Sequence, residues 1–197
     1  MCGTHKVLYE AWRTFKWRLR LIIVLGGFLH WNQVVSAEST PAYTEYQVKA
    51  LFLFNFTKYI DWPAAAFTHA DSPIYIGIIG QNNIGSDLAI AIQGKTFNGR
   101  NIRILRLATE ADWIKCQILF ISASERKRQA DILATLKALP ILTVGETETF
   151  AQEGGMVNFT KKEGKVHLQV NLDSAQKAGL QISSRLLNVA DVVRGKF

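Results

Sequence analysis

Residues 46–63, YQVKALFLFNFTKYIDWP, decide the fold, because they predict one long helix that is rich in apolar side chains. Placing successive residues about 100° apart gathers most of these side chains on one broad face, as in a helix packed on a core. The helix is expected to end at Asp61, Trp62 and Pro63, since proline lacks an N–H group and disfavours the α conformation of its predecessor. The predicted core-facing residues are Tyr46, Val48, Phe52, Leu53, Phe56, Tyr59 and Ile60.

The opposite side of this helix carries apolar residues among polar ones. Leu51 and Phe54 fall there, beside Lys58 and its polar neighbours, so some apolar surface is left over after the main face is buried. Either a second layer of the same domain covers it, or a partner protein or a second copy does. Leu51, Phe54 and Lys58 are therefore the candidate partner-binding residues. Lys49 falls on the apolar face and is expected to extend its amine to solvent.

The first 37 residues have the layout of a bacterial secretory signal peptide. Basic residues precede an apolar run at 21–29, and small residues at 35–37 precede a possible cut before Glu38. A retained membrane anchor is disfavoured, because His30, Asn32 and Gln33 interrupt the run well short of the roughly 20 residues that a span needs. We expect a cleaved signal peptide over 1–37, a linker over 38–44 and a single domain over 45–197, exported to the periplasm.

The net charge does not indicate a nucleic-acid partner. It is +7 for the whole chain, but without residues 1–37 the Lys and Arg residues number 18 and the Asp and Glu residues 15, which leaves +3. Only Cys116 is then left of the two cysteines, so no internal disulfide can form. Cys116 stands before an apolar run, which favours a buried thiol over a reactive one or one paired between chains.

From residue 73 onward, short apolar runs alternate with helical patterns, which predicts a parallel sheet built through crossovers. The fold class is a three-layer α/β sandwich with a mostly parallel central sheet, an antiparallel hairpin near the C-terminal end and helices on both faces. The predicted strands are 74–79, 101–107, 117–122, 141–144, 155–160 and 165–171. The predicted helices are 84–92, 122–139, 147–152, 173–179 and one from Ser183 or Ser184 that buries Leu186, Leu187, Val189, Ala190 and Val193.

Polar residues follow several of these strands. Ligands of parallel sheets collect beyond the carboxyl ends of the strands, so Gln81, Asn82, Ser122 and Glu146 are the candidate residues of a small-ligand pocket. The glycine loop at residues 80–86 has neither the Lys-Ser/Thr of a P-loop nor the spacing of a dinucleotide site.

No catalytic or metal-binding constellation emerges. His69 and His167 have no neighbouring ligand at metal spacing, and Cys116 has no evident base nearby in sequence. The sequence therefore favours a binding module over an enzyme, with no cofactor and no metal.

Two stretches resemble the YfiR family of exported bacterial proteins. Residues 49–63, KALFLFNFTKYIDWP, are similar to its opening motif. Residues 164–172, GKVHLQVNL, continuing through AGL at 178–180 to SSRLL at 183–187, are similar to its closing motif. With the alternation between them, the resemblance covers essentially all of the chain after the signal peptide.

The resemblance implies a periplasmic regulator without catalysis, often a homodimer. The best-known member represses an inner-membrane diguanylate cyclase by binding its periplasmic sensor region, and an outer-membrane lipoprotein can sequester that repressor. Its disulfides link it to redox state, which the single Cys116 does not support here. We therefore predict a periplasmic repressor of an inner-membrane signalling protein that reaches the membrane only through its partners. A periplasmic small-ligand module that uses the strand-end loops is the alternative.

Overall fold

An eight-stranded sheet forms the middle layer of the computed structural model, which describes residues 43–107 and 109–194. The predicted signal peptide and residues 38–42 of the predicted linker lie outside the described residues. The strands are β1 Ile60–Asp61, β2 Ile74–Ile79, β3 Thr96–Phe97, β4 Arg100–Arg106, β5 Ile118–Ile121, β6 Leu142–Gly145, β7 Val157–Lys162, β8 Lys165–Asn171, β9 Gln181–Ile182 and β10 Asp191–Val193. The α-helices are α1 Glu45–Tyr59, α2 Ile84–Ile92, α3 Gln129–Leu136, α4 Leu172–Lys177 and α5 Ser184–Leu187.

The order of the strands across the sheet is β10-β8-β7-β6-β5-β2-β4-β3. The pairs β7–β8 and β4–β3 are antiparallel, and the other neighbours in the sheet are parallel. The predicted hairpin is thus part of the main sheet. A separate antiparallel pair, β1–β9, joins the end of α1 to the C-terminal part of the chain. The predicted α/β sandwich with a mostly parallel sheet is confirmed.

Helix α1 begins and ends where its sequence indicates. The Thr44 hydroxyl accepts a hydrogen bond from the Gln47 N–H at 3.3 Å, and the Gln47 side chain accepts one from the Thr44 N–H at 2.9 Å. This reciprocal pair satisfies N–H groups that a helix start would otherwise leave unpaired. The backbone becomes extended at Ile60, which enters β1 before Pro63 is reached.

The core on one face of the sheet is built around aromatic side chains. Phe52 and Phe56 of α1 lie with Phe159 of β7 at ring-centroid distances of 6.1 to 6.2 Å, and Phe120 of β5 lies 6.3 Å from Phe159. Leu88 and Ala91 of α2 belong to the same buried cluster. Burying several large aromatic rings together is one of the largest single sources of stability that a domain of this size has.

The opposite face carries α3 and a second buried cluster. Trp113, Cys116, Ile132, Leu136 and Phe150 belong to it, together with inward residues of β2 and β5. The Phe150 ring fills space that a side chain at Gly145 or Gly155 would occupy, since a Cβ atom at either position would come within 2.2 Å of the ring. Helices thus cover both faces of the sheet.

Three predicted helices differ from the structure. Residues 147–152 form a bend followed by turns, with Phe150 fully buried among them. The helix expected from Ser122 is a 3-10 turn over Ala123–Glu125, with α3 starting only at Gln129. The last helix stops at Leu187, because the chain then pairs with β8 as the edge strand β10. Val189, expected on the buried face of that helix, is exposed.

Phe54 is not an exposed residue, which corrects the prediction from the helical wheel. Its side chain is 6% exposed and belongs to the buried cluster that contains Leu88 and Ala91 of α2. Leu51 is half-buried and also packs against that cluster, while Lys58 is exposed. Of the two alternatives, a second layer of the same domain is therefore the one that covers most of this apolar surface. That layer is helix α2.

We expect Phe54→Ala to lower the free energy of unfolding by about 3 kcal/mol or more, because it opens a cavity between packed helices. Ile90→Ala in α2 is the control: Ile90 is 71% exposed, so the change is expected within about 0.5 kcal/mol of wild type. Urea denaturation measures both. Equal costs for the two variants would contradict the burial of Phe54.

A buried ion-pair cluster at the carboxyl edge of the sheet

Lys49 is the centre of the polar cluster at this edge. Its amine lies 2.7 Å from Glu146 Oε2, which follows β6, and 2.6 Å from Glu45 Oε1, one turn earlier in α1. The side chains of Lys49 and Glu146 are 6% and 5% exposed. Lys161 at the end of β7 extends the cluster, with its amine 2.6 Å from Glu45 Oε2.

The expectation that Lys49 reaches solvent is wrong. Two carboxylates neutralise the amine where it lies, and its Nζ is also 5.0 Å from the ring centroid of Tyr46. A charge can stay buried when paired carboxylates and hydrogen bonds replace its water.

The charges of the cluster reinforce each other. Burial by itself disfavours the charged amine, but hydrogen bonds from Lys49 to Glu146 and Glu45 outweigh it, so the pKa of Lys49 lies above 10.5. Burial also opposes ionisation of Glu45, but hydrogen bonds from Lys161 and Lys49 hold the pKa of Glu45 below 4.5. Lys49 and Glu45 are therefore both charged at neutral pH.

Glu146 also ties the strand-end loops together. Its Oε1 accepts a hydrogen bond from the Ala123 N–H at 3.0 Å and lies 3.5 Å from the Ser122 hydroxyl. That hydroxyl donates to the Gln81 carbonyl at 2.9 Å, and the Gln81 N–H donates to Ser124 Oγ at 2.9 Å. The loops after β2, β5 and β6 are thus connected through side chains.

The structure brings three of the four predicted ligand residues together. Ser122 and Glu146 are in contact, and Ser122 bonds to the backbone of Gln81. Asn82 is used differently, because its Oδ1 accepts a hydrogen bond from the Ile84 N–H at 3.0 Å and caps the start of α2.

The crevice between β2 and β5 is closed. This is the point where the strand order reverses and where α/β sheets commonly bind ligands. A Cβ atom at Gly80, which has φ +89°, would come within 2.5 Å of Ser124 Oγ, so the two loops are in close contact. Open space lies beside them instead, in a cleft of about 570 Å³ whose lining includes Tyr46, Lys49, Glu146, Phe159 and Lys161.

Sequence reasoning missed Glu45, Lys49 and Lys161 as parts of this cluster. One signal was available, since Glu45 precedes Lys49 by four residues and such a pair shares one face of a helix. Nothing local indicates that Lys161 or Glu146 joins them, because β6, β7 and α1 meet only through the tertiary fold.

The predicted partner-binding residues lie at the other end of α1. Lys58 Nζ is 4.3 Å from the ring centroid of Phe54, and Lys95, just after α2, places its Nζ 4.5 Å from the same ring. Both lysines are exposed. The surface that this end of the two helices presents is therefore basic, with the Phe54 ring beneath it.

His69 and His167 do not belong to a group of side chains that could bind a metal ion. Within residues 43–107 and 109–194, no group of three or more His, Cys, Asp or Glu side chains could hold a metal ion.

The Cys116 thiol is buried, as predicted. Burial, and to a lesser extent the negative charge of Asp112, raises the pKa of the Cys116 thiol to about 12.

We expect Lys49→Met to lower the free energy of unfolding at pH 7 by about 3 to 5 kcal/mol, because it leaves Glu146 buried without its cation. Lys49→Met combined with Glu146→Gln should cost less than the sum of the two single changes, and urea denaturation of all four proteins gives the coupling. The exposed pair Lys115–Asp112, at 2.8 Å, is the control and should show little coupling. Equal coupling in the two pairs would contradict a stronger interaction between Lys49 and Glu146 than between the exposed Lys115 and Asp112.

The pH dependence follows from the two shifted groups. The pKa of Glu45 is lowered, so its contribution to stability is present at neutral pH and is lost as the pH falls through its folded-state pKa. The pKa of Lys49 is raised, so its contribution is complete at neutral pH and is lost only as the pH rises through its folded-state pKa. The cost of Lys49→Met should therefore shrink in acid, and a cost independent of pH would contradict the assignment.

The Cys116 thiol should resist modification in the folded protein, because it is buried and almost fully protonated at neutral pH. We expect Ellman's reagent at pH 8 to leave it unmodified in buffer and to modify it fully in concentrated urea. Equal rates in the two conditions would show that the thiol is accessible.

Comparison with known proteins identifies the family of this chain. A search of curated proteins found no match. In the described part of the chain, no helix is both long enough and apolar enough to cross a membrane. The model of the YfiR/HmsC-like family, a regulatory and not a catalytic family, matches residues 46–191, from the first turn of α1 into β10. Since this match covers most of the 197 residues, the chain belongs to the YfiR/HmsC-like family.

Proposed function

We propose that this protein is a periplasmic repressor that binds the periplasmic sensor region of an inner-membrane signalling protein of the diguanylate cyclase type. The observation that carries the proposal is the match of the YfiR/HmsC-like family to residues 46–191. That family is consistent with periplasmic regulation of cyclic di-GMP signalling. A homodimer and an outer-membrane lipoprotein that sequesters the repressor are further parts of the proposal.

The proposed contact surface is the end of α1 with the segment after α2. Lys58 and Lys95 are exposed there, over the buried ring of Phe54, and Leu51 is half-buried on the same helix. Phe54 supports this surface from below, since its side chain is almost fully covered. Two exposed ammonium groups held over one ring favour an acidic partner surface, because complementary charge speeds association and selects the partner.

Repression would work by selective binding. A sensor that exchanges between an active and an inactive conformation is shifted toward the one that the repressor binds more tightly. The degree of repression then depends on how much more tightly the repressor binds the inactive conformation of the sensor than the active one.

A small-ligand function at the strand-end loops has weaker support. Ser122 and Glu146 use their polar atoms to hold Gln81, Ala123 and Lys49. A ligand in the adjacent cleft would compete with these bonds, so the pocket alternative is second to the repressor.

We expect deletion of the gene to raise cyclic di-GMP, and a plasmid copy of the wild type to lower it again. A copy with Lys58→Glu and Lys95→Glu should fold and be exported but leave cyclic di-GMP at the level of the deletion strain, because like charges then face the sensor. Cyclic di-GMP is measured by mass spectrometry of cell extracts, and the periplasmic protein level by immunoblot.

The matched control carries Lys127→Glu and Lys162→Glu, which make the same change of charge at exposed positions elsewhere. It should repress as the wild type does. If the Lys58/Lys95 variant is exported and represses fully, the proposed surface is wrong. If deletion leaves cyclic di-GMP unchanged and crosslinking in intact cells recovers no diguanylate cyclase, the repressor function itself is wrong.

A further inference from the structure

The sheet has an open edge at β10. This strand, Asp191–Val193, pairs with β8 on one side and is the last strand in the order across the sheet. Among residues 43–107 and 109–194, no strand pairs with its other side. An edge of this kind presents unpaired backbone N–H and C=O groups, to which another extended chain can bind.

The hydrogen bonds of β8 show which residue of β10 points outward. The Asn171 N–H donates to the Met156 carbonyl at 2.8 Å, so the backbone groups of Asn171 point toward β7. Because these groups alternate along a strand, those of Val170 point toward β10. In a parallel pair, Val170 then bonds to the residues on either side of its register partner, Val192. The N–H and C=O groups of Val192 therefore point away from the sheet.

An apolar row crosses the sheet and ends at the same residue. The register partners on the α1 side of the sheet are, in order, Ile78, Phe120, Val144, Val157, Val170 and Val192. The first five are at most 2% exposed, whereas Val192 is 52% exposed. The apolar row thus runs past the covered part of the sheet, and Val192 presents an apolar side chain and outward backbone groups at one position.

Strand β10 is complementary to a second copy of itself. When two antiparallel copies meet with Val192 opposite Val192, the outward groups of the two residues exchange a pair of hydrogen bonds. A shift by one residue would instead set outward groups against inward ones. In the symmetric register Asp191 lies opposite Val193, and Ala190 opposite Arg194, so no like charges meet. The strand also has no lysine or proline, which commonly block pairing at an edge.

We propose that β10 is the interface of a homodimer, in which two copies pair antiparallel at Val192 and join their eight-stranded sheets into one. The two Val192 side chains contact each other on the α1 side of the joined sheet and continue the apolar row. This inference rests on the homodimer of the proposed function and names its contact surface. It uses none of the residues that form the proposed repressor surface.

The first test is a disulfide at the twofold axis. Opposite residues that exchange hydrogen bonds have Cα atoms about 5.5 Å apart, within the range of about 4.4 to 6.8 Å that a disulfide spans. We expect Val192→Cys, purified from the periplasm and mildly oxidised, to run as a covalent dimer on a non-reducing denaturing gel. The wild type should run as a monomer, because Cys116 is buried. Lys127→Cys, exposed at a distant position in sequence, is the control, and equal crosslinking of the two variants would overturn the proposal.

The second test measures the dissociation constant of the dimer by analytical ultracentrifugation. Val192→Pro removes an outward N–H and leaves the bonds between β10 and β8, so it should melt as the wild type does but weaken the dimer about ten-fold or more. Ile114→Lys is the control, since it replaces an apolar side chain that is 67% exposed between β4 and β5, and it should leave the dissociation constant unchanged.

The outcomes separate the interface from the rest of the proposed function. If Val192→Pro dimerises as tightly as the wild type, the homodimer stands and the β10 interface is wrong. If the wild type is a monomer at about 1 mM, the homodimer and its interface are both wrong. Repression is measured separately through cyclic di-GMP, so either result leaves the test of the repressor surface unchanged.

Discussion

Burial of α1 on two sides is the constraint on which the rest of the structure depends. One side of the helix packs on the sheet through Phe52 and Phe56, which lie against Phe159, while Phe54 joins the cluster of α2. A helix with apolar residues on most of its surface is stable in water only when it is enclosed in this way. The sheet and α2 must therefore both pack against α1 before its apolar side chains are buried. This requirement couples α1 to strands that lie far along the chain.

Charged side chains position the first turns of α1, at the end of the helix where Lys49 lies. Lys49 holds Glu146, and Glu146 holds the Ala123 N–H, so one carboxylate connects α1 with the loops after β5 and β6. A buried pair of this kind adds less net stability than its short distances suggest, because both ions lose their water. What it supplies is position: the register of α1 on the sheet is the one in which the buried charges are paired. Glu45 binds both Lys49 and Lys161, which extends the pair toward the surface.

The surface proposed for the partner protein is defined by its charge. The repressor surface is a basic, exposed end of two packed helices, where affinity for a protein partner depends on the complementary charge that faces Lys58 and Lys95.

Local pattern determined much of this protein. Thr44 and Gln47 fix the start of α1, the apolar runs give the buried strands, and Asn98-Gly99, with φ of 49° and 77°, gives the turn between β3 and β4. These features follow from the sequence because each depends on residues a few positions apart. The tertiary structure alone decided that Phe54 is covered, that residues 191–193 become an edge strand, and that Lys49 meets Glu146 across 97 positions. The reason is physical: whether an apolar or charged side chain is exposed depends on which distant element packs against it, and a helical wheel contains no information about that neighbour.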